Sequence, residues 1–308
     1  MQPHVIDEII ACLPKGRTLF HYFKDRYALM LLSYFVKNGK TMKEIKTSRY
    51  AGLLNKPIVK EVTSRLPGKN LTPDHFQFIW PDKYETYLLG LDRWGSIRDW
   101  KYYQVSRPGE NLVLQLNFSN KHNTHYVRWI NPEKGNIPFS FEGHPISKEK
   151  LTLAWARLDI DLQQGQALIE EIQNDWIRET LDWQKHLKRY PKKFVFGTQC
   201  SLKELNRYFK DGLYPHIKIW HEAMLMAAIW FLKEELGINQ IFFHTYNTGN
   251  YFKKFYYNAP PRSLYTDLPR KFCFVETHEA PEFLQKTNHR TVKTKLKDKS
   301  NKWFVLNF

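Results

Sequence analysis

The sequence predicts an α/β protein of α+β type, with a helical N-terminal part and a mixed sheet in its second half. Three observations carry that expectation. The stretch "IKIWHEAMLMAAIWFLKEELG" is the clearest helix of the chain, closed by Gly237. The runs "LTLAWARLDID" and "QALIEEIQNDW" flank "LQQG" and read as a β-hairpin. Between residues 25 and 94, short helical segments precede a second candidate hairpin.

The N-terminal elements follow in order. "DRYALMLLSYFVKNG" has apolar residues at helical spacing and ends at Gly39. In "TMKEIKTSRYAGLLN", Thr41 and Glu44 stand as a capping box. "NKPIVKEVTSRL" offers Asn55 as an N-cap and Pro57 for the first turn. "FQFIW", "PDK" and "YETYLLGL" then read as strand, turn and strand. Helices and a hairpin in this order describe a winged-helix-like domain over residues 1–94. Nine Lys or Arg against two acids lie between Lys37 and Lys69. Lys56, Lys60 and Arg65 would face nucleic acid from the third helix, and Lys83 would sit in the wing.

Residues 95–149 form a connecting, β-rich segment. "NLVLQLNFS" alternates as a strand, and "NKHNTHYVRWINPEKGN" reads as a loop. His122, His125 and His144 match no metal-ligand spacing and are set aside as surface or capping residues. The second domain spans 150–308. After the hairpin and a polar helix come the long helix, the strand "INQIFFHT", a helix starting in "YNTGNYFKKFYY", and "SLYTDLPRKFCFVET" turning into a strand. The basic run "KTNHRTVKTKLKDKSNK" is expected to be a mobile loop or an exposed arm, and "NKWFVLNF" a last strand.

The formal net charge of +16 and a pI near 9.5 favour polyanionic partners, because a Lys or Arg against a phosphate releases a counterion. Cys12, Cys200 and Cys273 form neither a disulfide framework nor a zinc site. The first twenty residues lack a leader pattern, and the most apolar runs are too short to span a bilayer. A cytoplasmic protein without membrane contact is expected.

"EEIQNDW" is the anomaly: a strand loaded with polar groups. Side chains alternate on a strand, so Glu171, Gln173 and Asp175 are expected on one side and Glu170, Ile172, Asn174 and Trp176 on the other. Such a row suits a general base with an orienting amide, a shared divalent cation, or a structural network with Arg157, Arg178 or Lys218. Asp175 also stands where it could cap the helix that starts at Trp176. His221 and Glu222 in the first turn of the long helix, and His244 at a strand end, are candidates to join the row. Gly249 and Lys253 are candidates to meet a phosphate.

Two resemblances follow from these residues. Over roughly 150–308, the order of hairpin, long helix, strand, short helix and two strands resembles the GNAT acetyltransferase fold. That resemblance implies acyl transfer and an acetyl-CoA pyrophosphate held by a Gly-rich turn, where this chain reads "DGLYPHIKIWHE" with only Gly212. "EEIQNDW" is similar to an E-I-Q-S-D-W segment of phage and prophage polyvalent proteins and an uncharacterised bacterial family. It implies that Glu171, Gln173, Asp175 and Trp176 act together, with Trp220 and the His244 region. The leading expectation is acyl or group transfer on a small-molecule ligand, with Glu171 as base. The alternatives are a nucleic-acid-binding winged-helix protein without catalysis, and a metal-dependent nuclease using Glu171 and Asp175.

Overall fold

A computed structural model describes residues 1–12, 18–66, 68, 70–95, 104–141, 143–147, 149–254 and 260–308. Lys69, residues 96–103 of the connecting segment and residues 255–257 of the expected helix lie outside them. The described chain is mixed α/β, built on one sheet of eight strands in the order β1-β2-β3-β4-β5-β6-β8-β7.

After α1 (Pro3–Cys12) comes β1 (Thr18–Tyr22), followed by α2 (Arg26–Phe35), α3 (Met42–Lys46), α4 (Pro57–Ser64) and α5 (Asp74–Gln77). The Thr41–Glu44 capping box forms as expected. Asn55 ends a 3-10 turn instead of capping, and Lys56 precedes Pro57 at the start of α4. The expected second hairpin is absent. Its first half is α5, and its second half is β2 (Glu85–Trp94), which pairs with β1 and with β3 (Asn111–Phe118). Alternation over "YETYLLGL" marks a strand, but nothing local says that its partners lie far away in sequence. The N-terminal strands therefore belong to the same sheet as the rest.

"NKHNTHYVRW", expected as a loop, is α6 (Asn120–Trp129). Its polar composition hides a buried face of His122 and Tyr126, so tertiary packing decides where propensity does not. The hairpin β4 (Thr152–Asp161) and β5 (Gln166–Gln173) forms as expected. Helices α7 (Trp176–Arg189), α8 (Leu202–Tyr208), α9 (Tyr214–Ile217) and α10 (Trp220–Trp230) lead to β6 (Gln240–His244), parallel to β5. Then come α11 (Tyr246–Lys253), α12 (Asp267–Lys271), β7 (Val275–Thr277), α13 (Glu282–Gln285), α14 (Arg290–Leu296) and β8 (Trp303–Asn307). The basic run thus holds a helix, anchored by buried Val292. Among the described residues, no helix is long and apolar enough to cross a membrane.

Strand alternation gives the sheet two unlike faces. One carries Leu114, Leu116, Ala156, Leu158, Ile169, Ile172, Ile241 and Phe243 in the main apolar core. Helix α10 contacts β3, β4 and β5 and is buried from Glu222 through Ile229. The other face has two small apolar clusters: Trp94, Val105, Val113 and Trp155, and Leu168, Phe242, Phe252, Phe283 and Trp303 among others. Between them runs a polar band.

Candidate functional site at the end of β5

Opposite Arg157 on β4 stands Glu171, but opposite Leu158 stands Ile169, so Glu170 is an extra residue on β5. This is a β-bulge. It places Glu170 and Glu171 on the same face, which corrects the simple alternation expected for them. The bulge also marks where β5 and β6 part. They pair from Gln166/Gln240 to Ile169/Phe243, after which β5 continues without β6.

Two side chains take the place of a strand neighbour in that crevice. Lys253 Nζ donates to the Glu170 carbonyl at 2.5 Å. The Tyr265 hydroxyl lies beside the Ile172 N–H without closing a well-aligned hydrogen bond. Burial pushes the Lys253 ammonium down to about 8, against the nearby Glu171 and Glu170 charges. Gly249 packs behind this site; a Cβ there would lie 3.1 Å from His244 Cβ. Both residues, expected as candidates to meet a phosphate, are buried.

Glu170 accepts from the Ser106 N–H at 2.9 Å and the Ser106 hydroxyl at 2.8 Å. His244 Nε2 lies 2.8 Å from Ser106 Oγ and 3.1 Å from Glu170 Oε2. Burial alone would raise the Glu170 carboxyl, but His244, Lys253 and Arg157 hold it at about 2. Burial lowers His244, outweighing the Glu170 charge. A neutral ring with Nε2–H satisfies these contacts and leaves Nδ1, which has no partner among the described residues, as a bare acceptor. Because serine and carboxylate share one ring nitrogen, the trio lacks the geometry in which a base activates the serine while the acid holds the other nitrogen.

Glu171 is ion-paired with Arg157, itself fully buried, donating to the Gln104 carbonyl at 2.9 Å and stacked over Trp94. Its carboxylate neutralises a buried guanidinium, so the role of free base expected for it is not available.

The remaining polar residues of the strand meet a side chain that sequence reasoning set aside. Asp175 Oδ2 accepts from His144 Nδ1 at 2.7 Å. Asp175 Oδ1 accepts from Arg178 at 2.7 Å and from the Gln173 amide at 3.2 Å. Asp175 does not cap α7; Asn174 Oδ1 does, accepting the Ile177 N–H at 2.8 Å. His144 packs edge-on against Trp155 and Phe141 and retains 18% side-chain exposure. Its Nε2 has no hydrogen-bond partner among the described residues. His144 sits in a loop 31 residues before Asp175, and nothing in its spacing announces the pair. The Trp155-Arg157-Asp159 alternation on β4 was the readable signal for the polar band.

The other candidates lie apart. The charges that act on His221 are those of Glu222, Lys271 and Lys24, not those of the β5 set. Glu222 accepts from Tyr22 at 2.8 Å and pairs with Lys271. Of the expected nucleic-acid contacts, Lys56 lies 3.4 Å from buried Asp25, and Arg65 pairs with Glu61 at 2.7 Å. Lys60 and Lys83 are exposed, Lys83 in the segment leading to β2.

The segment around Gly212 does not form the pyrophosphate cradle that coenzyme A needs. Gly212 lies in a π-helical turn, where a Cβ would meet His125 Cβ at 3.0 Å and the Tyr208 ring at 3.1 Å. Its lack of a side chain serves close packing. Among the described residues, no three His, Cys, Asp or Glu side chains are grouped to hold a metal ion. Comparison with known protein families, curated proteins and solved structures finds no match for this chain.

Proposed function

We propose that this chain is a group-transfer or hydrolytic enzyme of GNAT-like architecture, with His144 as general base and Asp175 and Gln173 as positioning residues. The architectural part is supported by the order of β4, β5, α10, β6, α11, β7 and β8 and by the parting of the parallel β5–β6 pair. The carboxyl ends of parallel strands are where open α/β sheets place their ligands.

The observation that carries the chemistry is the 2.7 Å bond from His144 to Asp175. With Nδ1–H held by the carboxylate, Nε2 keeps its lone pair and stays accessible. It can take the proton of a water or an acceptor nucleophile as that group attacks an acyl carbonyl. Asp175 stabilises the imidazolium, which returns the proton to the leaving group.

Hydrolysis and aminolysis of S-acetyl-N-acetylcysteamine test this reading without requiring a coenzyme A site. His144→Gln should lower turnover by about 10²–10⁴-fold while leaving the circular dichroism spectrum unchanged. A variant as fast as the parent ends the assignment.

A further inference from the structure

The basic run before β8 builds a groove that the proposed activity does not use. It has a volume of about 790 Å³. That is within the range of sites that enclose one small molecule. Its apolar side includes Ala280, Leu296 and Trp303.

Lysines outnumber acids on the rim, where Glu279 and Asp298 also stand. Lys293 and Lys297 stand one helical turn apart on α14 and its C-cap, and Lys299 follows in the turn. None of the three has a carboxylate partner within 4.0 Å among the described residues. The nearest acid in sequence, Asp298, is engaged by the Ser300 N–H at 2.9 Å and the Ser300 hydroxyl at 2.7 Å. Like charges at this spacing repel each other, and α14 keeps them next to an apolar floor. Lys295, by contrast, is used internally, donating to the Phe252 carbonyl at 2.6 Å.

We propose that this groove binds a nucleoside diphosphate, its ring against Leu296 and Trp303 and its phosphates on Lys293, Lys297 and Lys299. An apolar floor beside a lysine rim suits a molecule that is planar at one end and polyanionic at the other. Lysine ammonium groups serve phosphates as point charges. The site is independent of the His144 reading.

Calorimetric titration of the whole protein with ADP, adenosine and pyrophosphate decides it. ADP should bind saturably, at least about tenfold more tightly than either adenosine or pyrophosphate alone, and more weakly as salt rises. Lys293→Gln with Lys297→Gln should weaken ADP about tenfold or more, with the circular dichroism spectrum unchanged. No ADP binding, or ADP binding untouched by the two substitutions, overturns the proposal. Adenosine matching ADP would remove the role of the lysines, and pyrophosphate matching ADP would remove that of the apolar floor; either result overturns it too.

Discussion

Glu171→Leu should cost about 3–5 kcal/mol of folding stability, because it strands the Arg157 guanidinium in the interior. Arg157 is fully buried, and after the substitution it keeps the Gln104 carbonyl, the Trp94 ring and the more distant Glu170 charge, but no ion-pair partner among the described residues. That loss is a large part of the 5–15 kcal/mol that holds a typical domain together. The double variant Glu171→Leu/Arg157→Met should recover most of it, since an apolar pair of similar volume often replaces a buried ion pair without loss. Urea unfolding of the parent, both single variants and the double variant gives the coupling. Additive effects, or a Glu171→Leu loss under about 1 kcal/mol, would show that the pair is not the interior lock described here. Activity assays on Glu171 variants need this control, since lost turnover would otherwise be read as lost catalysis.

The protein should lose stability in mild acid through two histidines other than the candidate base. His122 is stacked on Phe118 and sits 2.7 Å from the Tyr208 hydroxyl, which also accepts from Trp176. The Tyr87 hydroxyl lies 2.9 Å from His216 Nδ1. Burial, and then the neighbouring His216, push His122 well below its ordinary value. Burial and the Lys121 charge take His216 down to about 3.

Both rings are therefore neutral when folded, whereas the unfolded chain takes up protons below about 6.5. Their contribution is complete above that value and is lost as the pH falls toward 3 for His216. Each adds about 1.4 kcal/mol per pH unit to the slope of stability within its window. Glu170, held at about 2, adds the same sign of dependence lower down, below the ordinary carboxylate value. Denaturation between pH 4.5 and 6 should show His216→Gln reducing the slope by about one proton. An unaltered slope would mean that His216 protonates freely in the folded chain.

Much of the scaffold was legible because its signals are local. The Thr41 box, the β4–β5 hairpin, the helix closed by Gly237 and the last strand rest on spacing within a few residues. Partners distant in sequence were not legible. β2 looked like half of a hairpin because only the fold brings β1 and β3 to it, and α6 looked like a loop because its buried face is aromatic and histidine-rich. At the site, Gln173 and Asp175 were found from the strand's odd polarity, but His144 comes from another loop. No glycine or proline announces the bulge, so Glu170 was assigned to the wrong side.

The bulge also bears on how the chain can vary in length. β5 carries one residue more than β4 can match, and that surplus residue is Glu170. A chain lacking it would pair Ile169 with Leu158 and Glu171 with Arg157 in unbroken sequence, keeping every later side chain on its present side. Related sequences could therefore differ by one residue here, keeping the Glu171–Arg157 lock and the His144 pair while losing the carboxylate that holds Ser106 and His244 and the carbonyl that takes Lys253.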